Sequence, residues 1–461
     1  MLPTEPQSTV DTLLIENQIE QMVNNLLLDQ QGETICFPDD DEALIDMSSN
    51  SQSTSVSYNN YKRNGKKFPT ISYPQSGQPI QGWLFRTNFN PNMVRPGSRK
   101  NTYELMKSQA AFCDFKSLQM EMMLIEVGNA LVKVEQIDYY IYSRLKGNFI
   151  NVIKTHKGSK IFQSYLKNTS PDILHNIYLE IKQELTNIIN DPYANYFCKR
   201  FYAFLSQKDR VDFLYTIQSK IVYLSLDNIG TYPIQAIVDQ VASNSEKSII
   251  IHAIEDSLAL FCYDTYGTHV IEKILVHFDF IFTSFIYAFV IDNFLSLALD
   301  INGICVVKKA LIYCDKENIH STLFKFSFEN ALQLVEHPFG NYVIQVIAEN
   351  WSEREVVQLA SQFKGKFVEL SNKKYSSNVI ERCLEKSQTI IAIYIEEVAG
   401  RIAEVMKSNY GNYVVQKALK VAQGRNREVL LSSVNKNIYK LYDKKLITKW
   451  RSIVASYLES N

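Results

Sequence analysis

HPFGNYVIQVI (His337–Ile347) and KSNYGNYVVQKAL (Lys407–Leu419) share one string, G-N-Y-V-[IV]-Q, with their asparagines 71 residues apart. Two copies of a core helix would share apolar residues. A shared Asn, Tyr and Gln asks for more, and points to a repeat with further copies. Aligned on Asn341, these copies fall at Ser159 (GSKIFQ), Asn195 (ANYFCK), Thr231 (GTYPIQ), Thr268 (GTHVIE), Ile304 (GICVVK), Asn341, Ser377 (SNVIE) and Asn412. The intervals are 36, 36, 37, 36, 37, 36 and 35 residues. A near-constant period of this length is the signature of a solenoid.

The sixth copy shows what one unit contains. Phe328–Val335 reads as a short helix, broken by His337-Pro338-Phe339-Gly340. Asn341–Asn350 reads as a second helix, with Val343, Ile344, Ile347 and Ala348 on its packed side. Ser352-x-x-Glu355 is a capping box opening a third, which runs to about Phe363. Three helices per unit predict an all-α chain with eight repeats stacked on one another. Residues 105–145 and those after Ala422 lack the motif and read as end caps that shield the outermost apolar faces.

The totals agree with that picture. At 461 residues the chain is too long for one ordinary core, and only 16 Gly and 12 Pro favour helix over a turn-rich β array. The net charge of −1 gives no global nucleic-acid signal, but leaves room for a local basic track. Seven cysteines without a CxxC pair suit a reduced, intracellular chain. Charged and polar residues interrupt the apolar stretch Phe278–Leu299, which predicts a buried helix and no membrane span. Residues 1–104 differ from the rest: no Lys or Arg up to Tyr61, then no Asp or Glu from Lys62 to Lys100. This acidic-then-basic composition predicts a disordered tail ahead of a domain at 105–461. Within the tail, Asp11–Leu28 has the pattern of a short amphipathic helix.

The repeated polar residues are the candidates for function. With the Asn341 site as position 1, positions 1 and 5 lie four residues apart on one helix face, and position 2 is rotated by about 100° toward a neighbouring repeat. A row of such helices would hold out paired polar side chains with flat or long residues between them. Helix spacing of about 10 Å matches an extended single strand. Flat groups at position 2 would sandwich bases, and positions 1 and 5 would meet base edges.

On these motifs the chain resembles the Pumilio/FBF (PUF) RNA-binding proteins over residues 105–461. The family reads one base per helical repeat with two or three side chains. The resemblance implies a right-handed curved α-solenoid, with RNA antiparallel on the concave face and the last repeat at the 5′ base. Asn412/Gln416 and Asn341/Gln345 offer amide donors and acceptors suited to uracil. Ser377/Glu381 offers a carboxylate acceptor, suited to the two adjacent N–H donors of guanine. Read backward from the last repeat, the order is U, G, U. Ser159/Gln163 with Lys160 resembles an adenine reader. Thr231/Gln235 is ambiguous and Thr268/Glu272 favours guanine. Asn195/Lys199 lacks the second amide. Ile304/Lys308 lacks an edge-reading pair, and Cys305 stacks poorly, so that base is expected to be unread. The stacking candidates are Tyr413, Asn378, Tyr342, His269, Tyr232, Tyr196 and Lys160. Arg200, Lys273, Lys309, Arg382 and Lys417 follow position 5 and form a candidate phosphate track.

His269-x-x-Glu272 could be half of a di-metal helix site, but no second Glu-x-x-His stands out. No phosphate loop, nucleophile elbow or Cys–His pairing calls for an enzyme, and no cofactor or metal is expected. The resemblance implies a monomeric cytoplasmic binder of single-stranded mRNA at 3′ untranslated elements, acting with deadenylase or translational-repressor proteins. The alternatives are a helical-repeat scaffold for protein partners with degenerate RNA reading, and a ribosome-assembly relative without sequence choice.

Overall fold

The computed structural model describes residues 122–131 and 133–459. The expected tail, its Asp11–Leu28 helix and the boundary near residue 105 lie outside the described residues.

Every regular element among the described residues is helical, and eight three-helix units follow one another as a curved α-solenoid. The second helices are α1 (His156–Tyr165), α2 (Ala194–Phe204), α3 (Thr231–Gln240), α4 (Gly267–His277), α5 (Gly303–Tyr313), α6 (Asn341–Asn350), α7 (Ser376–Lys386) and α8 (Gly411–Val421). Each packs on the next, so α1 to α8 form one continuous row. A short helix precedes each of them and packs on it, as Ala331–Glu336 does on α6. A third helix follows, as Glu353–Ala360 follows α6. The core runs unbroken from Val127 to Val454. Each unit buries apolar residues on both sides and therefore needs its neighbours.

The sixth unit follows the sequence reading closely. Val343, Ile344, Ile347 and Ala348 are all buried. The Ser352–Glu355 capping box is formed in both directions. One boundary differs. Phe328 belongs to the preceding helix, Glu317–Glu329, and the short helix starts only at Ala331. Asn330 between them donates its side-chain amide to Phe326 O at 2.8 Å, which ends one helix and lets the next begin.

Phe278–Leu299 is also only partly as expected. It forms Phe280–Asp292 and Phe294–Ala298, and no helix among the described residues is long and apolar enough to cross a membrane. Phe280–Asp292 is not buried throughout, however. Thr283, Ile286, Tyr287 and Val290 face the core, while Ile281 is 79% exposed. A third helix in a solenoid has one side against its neighbours and one toward solvent, whatever its composition.

The second helices begin under a repeated device. Four residues before position 1, a side chain accepts two backbone N–H groups from the helix entry. Asp191, Asp227, Asp264 and Asp300 do so at 2.8–2.9 Å through Oδ1. His337 uses Nδ1, at 3.2 Å, and Ser408 uses Oγ. Orphan N–H groups at helix starts are satisfied this way. Gly or another small residue then precedes position 1. A Cβ on Gly303 would lie 2.8 Å from Leu297 O, and on Gly411 2.8 Å from Val405 O. These close approaches hold each second helix tightly against its short partner. At the C-terminal end, α9 (Lys444–Glu459) closes the array, with Trp450 buried and donating to Met406 O at 3.3 Å.

Candidate nucleic-acid interface

The three motif positions have the same disposition around the row. Position 1 is buried in all eight repeats, from 1% exposure at Thr231 to 8% at Asn412. Position 5 is half-buried in every repeat. Position 2 faces solvent: Tyr196, Tyr232 and Tyr413 are 54%, 56% and 57% exposed, and Lys160, His269 and Asn378 are exposed too. Cys305 and Tyr342 are the half-buried exceptions.

Position 1 acts as a strut for position 5. The Asn341 amide donates to His337 O and Pro338 O, both at 2.8 Å, and Asn412 donates to Ser408 O and Asn409 O at 2.9 and 3.0 Å. Their N–H groups are thereby spent on their own repeat, and Oδ1 turns outward. It accepts from Nε2 of the position-5 glutamine, at 2.6 Å in Gln345 and 2.9 Å in Gln416. Gln235 donates likewise to Thr231 Oγ1 at 2.9 Å, and Gln163 to Ser159 Oγ at 3.1 Å. A glutamine held in one rotamer has lost its side-chain entropy before any ligand arrives.

In the seventh repeat the strut is Ser377, whose hydroxyl donates to Lys374 O at 3.2 Å. Glu381 stands where the glutamines stand. Burial pushes its carboxyl above the ordinary value; Lys417 pulls it back, and Glu385 adds to the rise. Gln345, Asn378 and Glu381 line one cleft of about 170 Å³ together with Arg382, Glu385 and Lys417. The cleft joins α6, α7 and α8.

The position-6 cations are mostly engaged. Lys273 of α4 pairs with Asp239 of α3 at 3.0 Å, Arg382 of α7 with Glu349 of α6 at 3.1 Å, and Lys417 of α8 with Glu385 of α7 at 2.5 Å. In all three, position 6 of one repeat meets position 9 of the repeat before. Lys309 sits 3.8 Å from Glu272. Of the five candidates, Arg200 alone has no carboxylate partner among the described residues. The expected basic track is therefore partly neutralised by couplings between repeats.

The fifth repeat departs furthest from the pattern. Ile304 is buried and offers no polar group, and Lys308 lies with Nζ 5.6 Å from the Tyr342 ring centroid. A cation at that distance over a ring is an attractive contact. In the second repeat Asn195 is held to Asp191 O at 2.7 Å, and Lys199 leaves it without an amide partner. His269 lies 3.6 Å from Glu272, and no group of three or more His, Cys, Asp or Glu among the described residues is arranged to hold a metal ion.

Sequence reasoning missed two features. The repeated acceptor ahead of six of the second helices, those of repeats two to six and eight, was legible as Asp, His or Ser three residues before the small residue. Lys449 was not legible. It comes from α9, outside the repeats, and donates to Asn412 Oδ1 at 3.0 Å while lying 5.5 Å from the Tyr413 ring centroid.

Comparison with known proteins agrees with this geometry. A family model described as the Pumilio-family RNA binding repeat matches residues 258–288, 293–324, 330–362, 366–393 and 401–434. Pumilio homolog 12 of Arabidopsis thaliana is 29% identical over 320 residues, covering 67% of this chain and 54% of that protein. The chain spans about half the length of the curated relatives it matches. Among solved structures, the Puf4 RNA binding domain bound to a 3′ UTR recognition sequence aligns with TM-score 0.60 at 23% identity, over 66% of this chain and 99% of that one. PUF-8 in complex with PBE-RNA aligns with TM-score 0.64 at 19% identity, over 69% and 94%. The matched segments stop short of the first three repeats, where the sequence period and the continuous row of second helices carry the assignment. Five of the eight repeats, between residues 258 and 434, match the Pumilio-family RNA binding repeat, and the chain as a whole is similar to the Pumilio (PUF) proteins in sequence and fold.

Proposed function

We propose that the row of second helices binds single-stranded RNA, one base per repeat, with 5′-UGU read by repeats eight, seven and six. The carrying observation is the equivalence of Gln416, Glu381 and Gln345: each half-buried at position 5, over a buried strut, on three consecutive helices. An acceptor-only carboxylate between two strut-held amides is an ordered pattern of hydrogen-bond polarity. Packing alone would not require that order. The solved Puf4 and PUF-8 chains that align here are described as bound to RNA, which supports the same ligand class.

The target is an element of messenger RNA, in 3′ untranslated regions, and the outcome is repression of translation or stability in the cytoplasm. Deadenylase or repressor proteins are the partners. Tyr413, Tyr342, Tyr232 and Tyr196 supply stacking, worth about 1–3 kcal/mol per base. Beyond UGU, Thr268/Glu272 and Ser159/Gln163 carry the remaining preference. The test is equilibrium binding to a UGU RNA and to its UAU variant at one stated salt concentration. The wrong base should cost about 1–3 kcal/mol, by analogy with a bidentate base contact. Glu381→Gln and Ser377→Ala should shrink that difference. Equal affinity for the two RNAs would reject the reading.

The Lys308–Tyr342 contact favours a second function for part of the array. With no polar group at Ile304 and Lys308 lying against the Tyr342 ring of the next repeat, repeat five is released from reading and free to serve as a scaffold for protein. Absence of all RNA binding would leave the scaffold as the function of the whole.

A further inference from the structure

The sixth and eighth repeats carry the same letters, Asn and Gln, yet the structure gives them different chemistry. In both, the asparagine N–H groups are spent on backbone carbonyls of their own repeat. In the sixth, Gln345 Nε2 makes one bond to its strut, to Asn341 Oδ1, and keeps a second N–H. In the eighth, Gln416 Nε2 faces both Asn412 Oδ1, at 2.9 Å, and Asn412 O, at 3.0 Å. Gln416 is left with Oε1 as its outward atom, an acceptor. The Asn412/Gln416 pair by itself therefore presents no donor to a base.

Lys449 supplies one. Its ammonium reaches from α9 to the second lone pair of Asn412 Oδ1 at 3.0 Å, and stands 5.5 Å from the centre of the Tyr413 ring. One of its three N–H groups is used there and two remain. The residue is exposed, so these face solvent beside the last edge pair and the last stacking ring. Every base shows an acceptor next to a donor on its pairing edge. Gln416 Oε1 meets the donor, and the acceptor needs a partner of the kind that Lys449 provides at this end of the row.

We propose that Lys449 is a base-contacting residue of the eighth repeat, donating a charge-assisted hydrogen bond to the first base of the site. The inference rests on the RNA reading above and deepens it. It divides the site differently from the motif: the terminal helix, not the repeats alone, completes the first letter. A lysine bound to a phosphate would act on the backbone whatever base is attached, and this separates the two roles.

The test is a cycle between Lys449→Met and removal of single bases. Three RNAs are used: intact UGU, UGU abasic at its first nucleotide, and UGU abasic at its third. On intact RNA, Lys449→Met should weaken binding about tenfold, the scale of one charge-assisted hydrogen bond. On the first-position abasic RNA the same substitution should have no effect. On the third-position abasic RNA the tenfold loss should persist. Lys449→Arg should restore part of the affinity, and an unchanged melting temperature should show that the exposed site leaves folding intact. An equal loss on all three RNAs would assign Lys449 to phosphate and overturn the proposal. So would unchanged or tighter binding, which would make the lysine a bystander or a plug. Wild-type protein that binds none of the RNAs would sink the RNA reading itself, a result distinct from these.

Discussion

Lys417 on α8 reaches back to Glu385 on α7 at 2.5 Å, and the same step joins Arg382 to Glu349 one repeat earlier. These cations couple adjacent repeats before they meet any ligand. Lys417→Met and Glu385→Gln should therefore be non-additive in chemical denaturation, with a coupling of about 0.5–1 kcal/mol for a partly exposed pair. Arg200 has no such partner. Arg200→Ala should leave stability unchanged and weaken all RNAs alike. Its loss should lower the slope of log affinity against log salt by about 0.7, the single-strand value for one phosphate contact. Titration of affinity against salt for the two variants separates coupler from phosphate contact.

Glu381 ties a stability cost to its proposed reading role. Its carboxyl titrates above its ordinary value because it is partly buried. In the window between the ordinary and the raised value the unfolded chain has already lost this proton and the folded chain has not. Stability therefore falls as pH rises through that window, and above it the native state carries the penalty. Glu381→Gln should raise the melting temperature at neutral pH while reducing preference for guanine. In the unmutated protein the preference for guanine should decline as pH falls, beginning above the usual range for a glutamate. Melting curves and guanine-against-adenine affinities measured over pH check both halves.

His337 is the one imidazole among the acceptors that start the second helices. Nδ1 accepts from two N–H groups, so it must be unprotonated there, and burial holds the ring below its ordinary value. The unfolded chain binds the proton first as pH falls. The stabilisation is complete above the ordinary histidine value and is lost as pH drops through the lowered one. His337→Asp places in repeat six the acceptor that repeats two to five already use. The substitution should flatten the fall in stability in this acid window, as read by thermal melts from neutral pH downward.

The small residue before position 1 is a packing requirement. A methyl on Gly411 would meet Val405 O at 2.8 Å, Val405 Cγ1 at 2.7 Å and Asn372 Oδ1 at 2.4 Å. Gly411→Ala should cost about 1–3 kcal/mol of stability, the range for overpacking. Ala194 and Ser376 stand at this place in repeats two and seven, and Ala194→Gly, which removes a methyl and no hydrogen bond, should be tolerated far better. Denaturant midpoints decide.

The fourth nucleotide should matter least. With Lys308 over Tyr342 and no polar group at Ile304, substitutions at that base should change affinity by about twofold or less, well under the span of a bidentate contact. A panel of four RNAs differing only at that position tests it.

Much of this architecture was legible in the chain because each second helix repeats the same spacing of Gly, Asn and Gln. Spacing survives even where letters do not: Ile304, with neither Asn, Tyr nor Gln in its copy, was placed by the period and its glycine, and it lies in the row. Two kinds of information were hidden. The first is partnership across repeats. Lys273, Arg382 and Lys417 look like a basic track in sequence because their carboxylate partners sit some 32–34 residues earlier, on another helix. The second is contact from outside the period. Lys449 belongs to no repeat, so no alignment of units could bring it to Asn412. The exposed Ile281 was misread for a related reason: composition reports how apolar a helix is, while stacking decides which of its sides is covered.

Each buried asparagine strut is tied to carbonyls of its own unit, and to no neighbouring strut. Under the proposed reading, the spelling of an interior site is thus stored locally, and the terminal site alone borrows a group, Lys449, from outside its unit. On that reading, a change of glutamine to glutamate at position 5 would rewrite a single letter and leave adjoining letters and the scaffold's continuity in place. A chain that reads RNA in this way would acquire new targets by small edits to its vocabulary, and repeat five would be the limiting case, a letter erased while the helices around it still stack.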